Sequence, residues 1–380
     1  MRRLSQIGFL SVVTAVLLPL FGACNRFEYG FDESAVNMKD PNQSELSFVF
    51  PETAVVPEHV AVLMSRKVNS LNYQWTIDSQ GQVVQDDQTL AASQMIYNGE
   101  YYLIAFNKCS DFYTITDYSE FEDGAIRMKD LYAVVPSISS DELELDDDLL
   151  NLNPYSGYVA HTDEPLLHFV HRSLLFPYSS GIVNLDLTDL TREYTVILTV
   201  EAEKSVTIKR ITAIMSGVPT QVQLMSGLVS RKETSKVVFD FLRNDDLHVA
   251  DGAKTHDGSE MVSSRYEGKI KSFGLFPALD AGMTTGPGIL QVFLTTSVED
   301  GPDEVERTFY AGINIKKAID DAAVMILSED QSGYWAVPQN GLEDIRVDAV
   351  LKVLKNHIEA GEAEGTEVWF ENDAEISPEL

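Results

Sequence analysis

Leu71-Asn72-Tyr73-Gln74-Trp75-Thr76-Ile77 carries apolar side chains at every odd position and polar ones between them. A period of two puts the two sets on opposite sides of an extended backbone, so the stretch predicts a half-buried β-strand and not a helix. Leu46-Ser47-Phe48-Val49-Phe50 and Val60-Ala61-Val62-Leu63-Met64 precede it in the same short-run style, and Tyr101 to Phe106 and Phe112 to Thr116 follow. Turn formers punctuate the runs, as at Ser79-Gln80-Gly81 and Asn98-Gly99. A second series begins after Ser179-Ser180-Gly181. It includes Tyr194 to Val200, Val206 to Met215, Val222 to Met225, Val237 to Phe241, Ile289 to Thr295 and Phe309 to Ile315. The pattern predicts a mainly β chain of two tandem β-sandwich domains, at 46–180 and 181–380.

Three segments need separate reading. Ile345-Arg346-Val347-Asp348-Ala349-Val350-Leu351-Lys352-Val353 is apolar at every odd position, which favours a strand over the helix that Leu354 and Ile358 would also allow. Lys316 to Leu327 puts Ile319, Ala322, Ala323 and Ile326 on one stripe and is the best helix candidate. Met215-Ser216-Gly217 recurs ten residues later as Met225-Ser226-Gly227, a spacing that suits a hairpin whose strands each end in a glycine turn.

The N-terminus has the composition of an export signal. Met1-Arg2-Arg3 is followed by an apolar run from Ile7 to Phe21, too short for the ~20 residues that span a bilayer and broken by Pro19. The run exits through Leu20-Phe21-Gly22-Ala23-Cys24, where small residues before a cysteine suit a lipoprotein signal peptidase. The expectation is a signal peptide at 1–23, lipid attachment at Cys24, and a polar tether at 24–45. Arg2-Arg3 is not continued as a twin-arginine signal. With Cys24 acylated, Cys109 has no intramolecular partner and reads as a small hydrophobe near a strand end.

The chain has 59 acidic against 28 basic residues, a formal net charge of −31. Such a field repels nucleic acid and anionic headgroups, so neither is expected as a partner, and membrane attachment is expected through the lipid alone. Motifs that carry chemistry do not emerge. Gly286-Pro287-Gly288 lacks the lysine or third glycine of a phosphate loop, and neither a G-x-S-x-G elbow nor an H-E-x-x-H helix occurs. His161, His168 and His171 cluster near Asp163 and Glu164, but on a strand His168 and His171 would face opposite ways, so no metal is expected. Asp141 to Asp148 lacks the glycine and spaced ligands of a calcium loop and reads as solvated. With so many acids, nothing singles out a catalytic pair. The reading is non-enzymatic, without cofactor. Of the tryptophans, Trp75 sits on an alternating strand and reads as core. Trp335, in Gly333-Tyr334-Trp335, has a loop-like context and is the better ligand candidate.

The cysteine-ended signal, the tyrosine-rich first half and Gly99-Glu100-Tyr101-Tyr102-Leu103-Ile104-Ala105-Phe106-Asn107 resemble lipoproteins of Bacteroidales related to fimbrial anchor subunits. Asp189-Leu190-Thr191-Arg192-Glu193-Tyr194-Thr195 entering a strand, then Ile214-Met215-Ser216-Gly217-Val218, is similar to the opening of their second domain. The resemblance implies transthyretin-like, Greek-key sandwiches, outer-membrane anchoring through the acylated cysteine, and fimbrial subunits as partners bound by strand addition. It places the protein at the cell surface. Asn25-Arg26-Phe27 stands where many surface-exposed members of the phylum carry acids, which leaves the membrane face open. The tail Thr366-Glu367-Val368-Trp369-Phe370 is the candidate partner-binding strand, or else the strand that completes the second sheet. The rival reading is a cell-surface glycan-binding lipoprotein, with Trp335 in the ligand site.

Overall fold

A computed structural model describes residues 42–50, 58–67, 72–78, 89–107, 112–116, 121, 124, 127–143, 157–176, 182–244, 260–300, 303–327, 333–336, 344–361 and 368–369. In chain order the strands of the first half are β1 (Asn42–Val49), β2 (His59–Arg66), β3 (Asn72–Asp78), β4 (Thr89–Ile96), β5 (Gly99–Asn107), β6 (Thr114–Ile115), β7 (Tyr132–Val134), β8 (Ser137–Ile138), β9 (Tyr158–Val159) and β10 (Leu167–Phe176). Then come β11 (Ile182–Asp186), β12 (Thr188–Asp189), β13 (Arg192–Glu203), β14 (Val206–Pro219), β15 (Gln221–Gln223), β16 (Val229–Ser230), β17 (Thr234–Arg243), β18 (Met261–Ser272), β19 (Ile289–Asp300) and β20 (Asp303–Asn314). A short helix α1 (Lys316–Asp321) leads to β21 (Ile326–Leu327), β22 (Tyr334–Ala336), β23 (Asp344–Val353), β24 (Ile358–Ala360) and β25 (Val368–Trp369). The protein is mainly β, as its periodicity requires.

In the first half a three-stranded sheet, β11-β1-β4, accompanies a five-stranded sheet, β12-β10-β5-β2-β3. β1 lies antiparallel to β4 and parallel to β11. Leu46 and Phe48 of β1 join Val60, Val62, Met64, Tyr101, Leu103 and Ala105 in one buried apolar cluster. The intervening residues Ala61, Leu63, Ile104 and Phe106 are equally buried, in a second cluster that extends to Ile358. β2 and β5 are therefore covered on both faces. This explains why Val60 to Met64 is apolar throughout, unlike the true alternation of residues 71–77.

The second half is organised on a long path, β24-β23-β13-β18-β17-β14-β19-β20-β25. Its pairs are antiparallel except β13 with β23, which run parallel. The ambiguous segment 345–353 is that parallel strand, with Ile345, Val347, Ala349, Leu351 and Val353 all buried. The predicted helix over Lys316 to Leu327 stops early, at Asp321. Ala323 adopts a left-handed φ of 50°, the chain turns, and Ile326 enters β21 with 49% of its surface exposed. Ile319 and Ala322 are buried as the stripe predicts.

The two halves interlock. β7 pairs with β15, and Tyr158 of β9 pairs with Lys236 of β17. β11 and β12, past residue 180, pair with β1 and β10. Asn42 to Glu45, expected in the tether, already belong to β1.

The Met-Ser-Gly echo has two structural meanings. Gly227 ends a turn in which its amide donates to the Gln223 carbonyl at 2.8 Å. Gly217 instead forms a bulge inside β14, where the register with β17 shifts between Ser216 and Val218. A turn at Gly217 is thus corrected to a bulge. Its φ is 90°, and the Ser216 hydroxyl bonds to the Gly286 and Ile289 carbonyls at 2.6 and 3.0 Å.

Candidate interaction surfaces

The tail meets the body at the last strand of the long path. Val368 and Trp369 pair with Ile313 and Gly312 of β20, and Val368 packs half-buried against the second cluster. The described part of the tail thus extends the sheet, the second of the two roles the sequence left open. β20 runs on from Ala311 back to Asp303. Among the described residues no further strand is laddered to that outer side, although the Arg307 side chain donates to the Lys355 carbonyl at 2.9 Å, and the inner edge is laddered to β19 throughout. An edge of this kind presents unpaired N–H and C=O groups to another chain. Thr366, Glu367 and Phe370 lie outside the described residues, as do Cys24, Cys109 and residues 24–41 of the tether.

The two described tryptophan side chains both serve packing. Trp75 stacks on Tyr73 with ring centroids 5.6 Å apart and planes 10° from parallel, against the first cluster. Trp335, on β22, meets Phe276 edge to face at 5.7 Å and packs half-buried against the second cluster. They belong to different sheets and do not form one aromatic platform.

The histidines are separated as strand geometry demands. His161 Nε2 lies 3.2 Å from the Lys269 carbonyl and His168 Nδ1 lies 3.3 Å from the Leu224 carbonyl. His171 Nδ1 instead accepts the Ser173 amide at 3.1 Å. Burial holds the His168 imidazole down at about 4, so it is neutral near pH 7 and links β10 to the second half. No group of three or more metal-ligating side chains occurs among the described residues.

Two buried cations were invisible in the sequence. Lys236 is 2% exposed, its ammonium lies 4.2 Å from the centroid of the Tyr158 ring, and burial lowers it to about 8. Arg66 is 3% exposed and donates from Nη2 to the Asn98 carbonyl. Their sequence neighbours, Ser65 and Lys67 for the arginine and Ser235 and Val237 for the lysine, give no sign of this burial, and only tertiary pairing reveals what surrounds them. The same holds for an open cavity of about 370 Å³ bounded by β13, β14, β17 and β18.

No family model matches this chain, and no curated protein does. Solved structures do align with it. The fimbrial anchor protein Mfa2 from Porphyromonas gingivalis aligns at 10% identity with a TM-score of 0.37, over 87% of this chain and 99% of that one. Two others are described as putative. An adhesin from Bacteroides ovatus aligns at 11% identity and TM-score 0.43, over 88% of this chain and 96% of that one. Polysaccharide binding proteins from Bacteroides thetaiotaomicron align at 12% and 0.38, over 87% and 96%. These neighbours are of the kind that the sequence resembles. Likeness at such identities and scores says nothing of what this chain binds.

Proposed function

We propose that the protein is a non-enzymatic, lipid-anchored outer-membrane protein of the cell surface. It anchors or assembles a fimbria, or mediates adhesion, through strand-to-strand contacts with other subunits. In this reading the signal peptide at 1–23 is removed, Cys24 carries the lipid, and residues 25–41 space the body from the membrane. The body is two transthyretin-like sandwiches in tandem, with the seam near Leu190, since β11 and β12 pair with strands of the first half.

The observation that carries the reading is the outer edge of β20. Among the described residues its strand ladder is the two-residue strand of the tail, at Gly312 and Ile313. A partner strand added there gains main-chain hydrogen bonds along a ready ladder, while alternate side chains set specificity. The tail Thr366–Phe370 is the contact that guides it. The glycan reading at Trp335 is less favoured, because that ring is committed edge-on to Phe276 and stands apart from Trp75.

The test is co-purification of a fimbrial subunit with the full chain and with a chain lacking residues 362–380. Loss of the subunit on truncation is the expected result, and equal recovery sinks the tail contact. Incorporation of labelled palmitate that disappears in Cys24→Ala checks the anchor separately.

A further inference from the structure

Arg66 carries a charge that no carboxylate among the described residues neutralises. The side chain is 3% exposed, and its Nη2 donates to the Asn98 carbonyl, but its Nε and Nη1 are buried without an acceptor. A guanidinium keeps its proton at any ordinary pH, so burial cannot silence it as it can a lysine. An unpaired buried charge is costly, and two buried donors without acceptors add to that cost. Water satisfies such donors but leaves the charge unpaired. Orphaned buried groups of this kind mark a bound ion.

Strand register fixes what surrounds the guanidinium. Arg66 ends β2 opposite Tyr101 of β5, on the face that carries Val62, Met64 and Leu103. Glu100, the neighbouring acid on β5, takes the opposite face by alternation, where Lys67 engages it at 2.7 Å together with the Ser173 hydroxyl. The Arg66 face holds phenols instead. Tyr73 stands opposite Met64 on β3, its ring 6.0 Å from that of Tyr101 and 6.4 Å from that of Tyr97. The Tyr101 hydroxyl donates to the Tyr97 carbonyl at 2.9 Å, whereas the Tyr73 hydroxyl is buried and makes no hydrogen bond. Burial raises both phenols and the Arg66 charge draws them back, so guanidinium and hydroxyls share one neighbourhood. Gly99 lets the guanidinium lie there, since a Cβ at that position would collide with Nε.

We propose that Arg66 and Tyr73 hold a small monovalent anion of the halide class, such as chloride, at the edge of the first apolar cluster. The guanidinium supplies the charge and its two unused N–H donors, and the Tyr73 hydroxyl turns its proton to the ion. A monatomic anion needs little more room than a water molecule, whereas a carboxylate or phosphate brings several atoms between the strands. The ion ties the end of β2 to β3 and, through the bond to Asn98, to the turn between β4 and β5. The site is separate from the β20 edge and does not rest on the fimbrial reading.

The test uses the full chain at constant ionic strength, with sodium chloride exchanged for sodium gluconate, whose anion is too bulky to enter. The melting temperature should rise by about 2 °C for each tenfold increase in chloride past half-saturation, and bromide should act alike. Arg66→Met removes the buried charge and keeps apolar volume, so it should fold at least as well in gluconate and lose the chloride response. Tyr73→Phe should keep that response with about tenfold weaker affinity. Line broadening in chloride NMR gives a readout free of stability, and the wild type should exceed Arg66→Met.

A wild-type melt indifferent to the anion overturns the site, because the guanidinium is then satisfied by water or by the chain itself. A chloride response or linewidth retained in full by Arg66→Met overturns it too, placing the ion elsewhere. Should Arg66→Met not fold, an unweakened chloride affinity in Tyr73→Phe overturns the shared cradle. Removing residues 362–380 should leave the chloride response unchanged, so this proposal and the tail contact fail independently.

Discussion

Val62 and Leu63 are neighbours on one strand, yet they serve different cores. Val62 lies in an apolar cluster built wholly from residues 46–187, whereas Leu63 lies in one that runs from Ala61 to Ile358. The first core is closed by two sheets of its own half. The second borrows Ala61, Leu63, Ile104 and Phe106 from the sheet of the first, and Phe121, Leu131, Ala133 and Val159 from the segments that follow it. The difference teaches that two apolar cores on opposite faces of one sheet need not be two folding units. One face of the central sheet is the lid of the second core, and its removal leaves apolar surface without cover.

The largest effect should come from cutting the chain at the seam. A fragment starting at residue 190 keeps every long strand of the second path but loses the borrowed face. Its expected state is a loosely packed one that binds hydrophobic dye and shows poor amide dispersion. A fragment with a sharp, cooperative melt would break the comparison and make the second body autonomous.

Leu63→Ala sharpens the same point within the intact protein. Truncating a fully buried leucine should cost about 2–5 kcal/mol. Trp75 reports on the first cluster and Trp335 on the second. In variants keeping one of these tryptophans alone, urea transitions should shift together, since both faces belong to one sheet. A shift at Trp335 with none at Trp75 would mean the sheet does not couple them.

Much of the second core was legible because its strands obey a simple rule. Residues 345–353 show period two over a whole strand, and each predicted inward residue is buried. The first half was harder, since a strand covered on both faces loses its alternation and looks like any short apolar run. The helix was overextended because Ala323 and Ile326 continue the stripe in sequence, while a left-handed turn removes them from it in space. Lys236 gave no warning, because its partner, the Tyr158 ring, comes from a distant segment.

The Met-Ser-Gly echo allows a smaller test of what the second core tolerates. Both glycines have positive φ, at 90° for Gly217 and 68° for Gly227. A Cβ added at Gly217 would lie 2.7 Å from the Phe276 carbonyl oxygen and 2.9 Å from the Gly288 nitrogen, both backbone atoms that cannot swing aside. At Gly227 the nearest atom is the Leu190 Cδ2 at 3.4 Å, ordinary contact. Gly227→Ala should therefore cost about 1 kcal/mol, the strain of the backbone alone, and Gly217→Ala about 2–4 kcal/mol. Equal melting shifts for the two would mean that the bulge yields and that the loop from Phe276 to Gly288 is not pinned to it.

The smallest effect sits at the seam itself and depends on pH. His168 belongs to β10, its Nδ1 lies 3.3 Å from the Leu224 carbonyl, and burial lowers its pKa to about 4 from an ordinary 6.5. The folded state therefore disfavours the proton that the unfolded chain accepts. Stability from this residue is fully present above pH 6.5 and is lost as the pH falls towards 4, by about 1–3 kcal/mol. Asp189, paired beside it through Leu167, works the other way, because burial raises its carboxyl and acid relieves that cost. The readout must then be a difference. Urea midpoints of wild type and His168→Gln, measured from pH 7 to 4.5, share the Asp189 contribution, and only the wild type should lose the histidine share. Parallel curves would mean that the imidazole reaches solvent and that the seam is looser at β10 than its hydrogen bond to Leu224 implies.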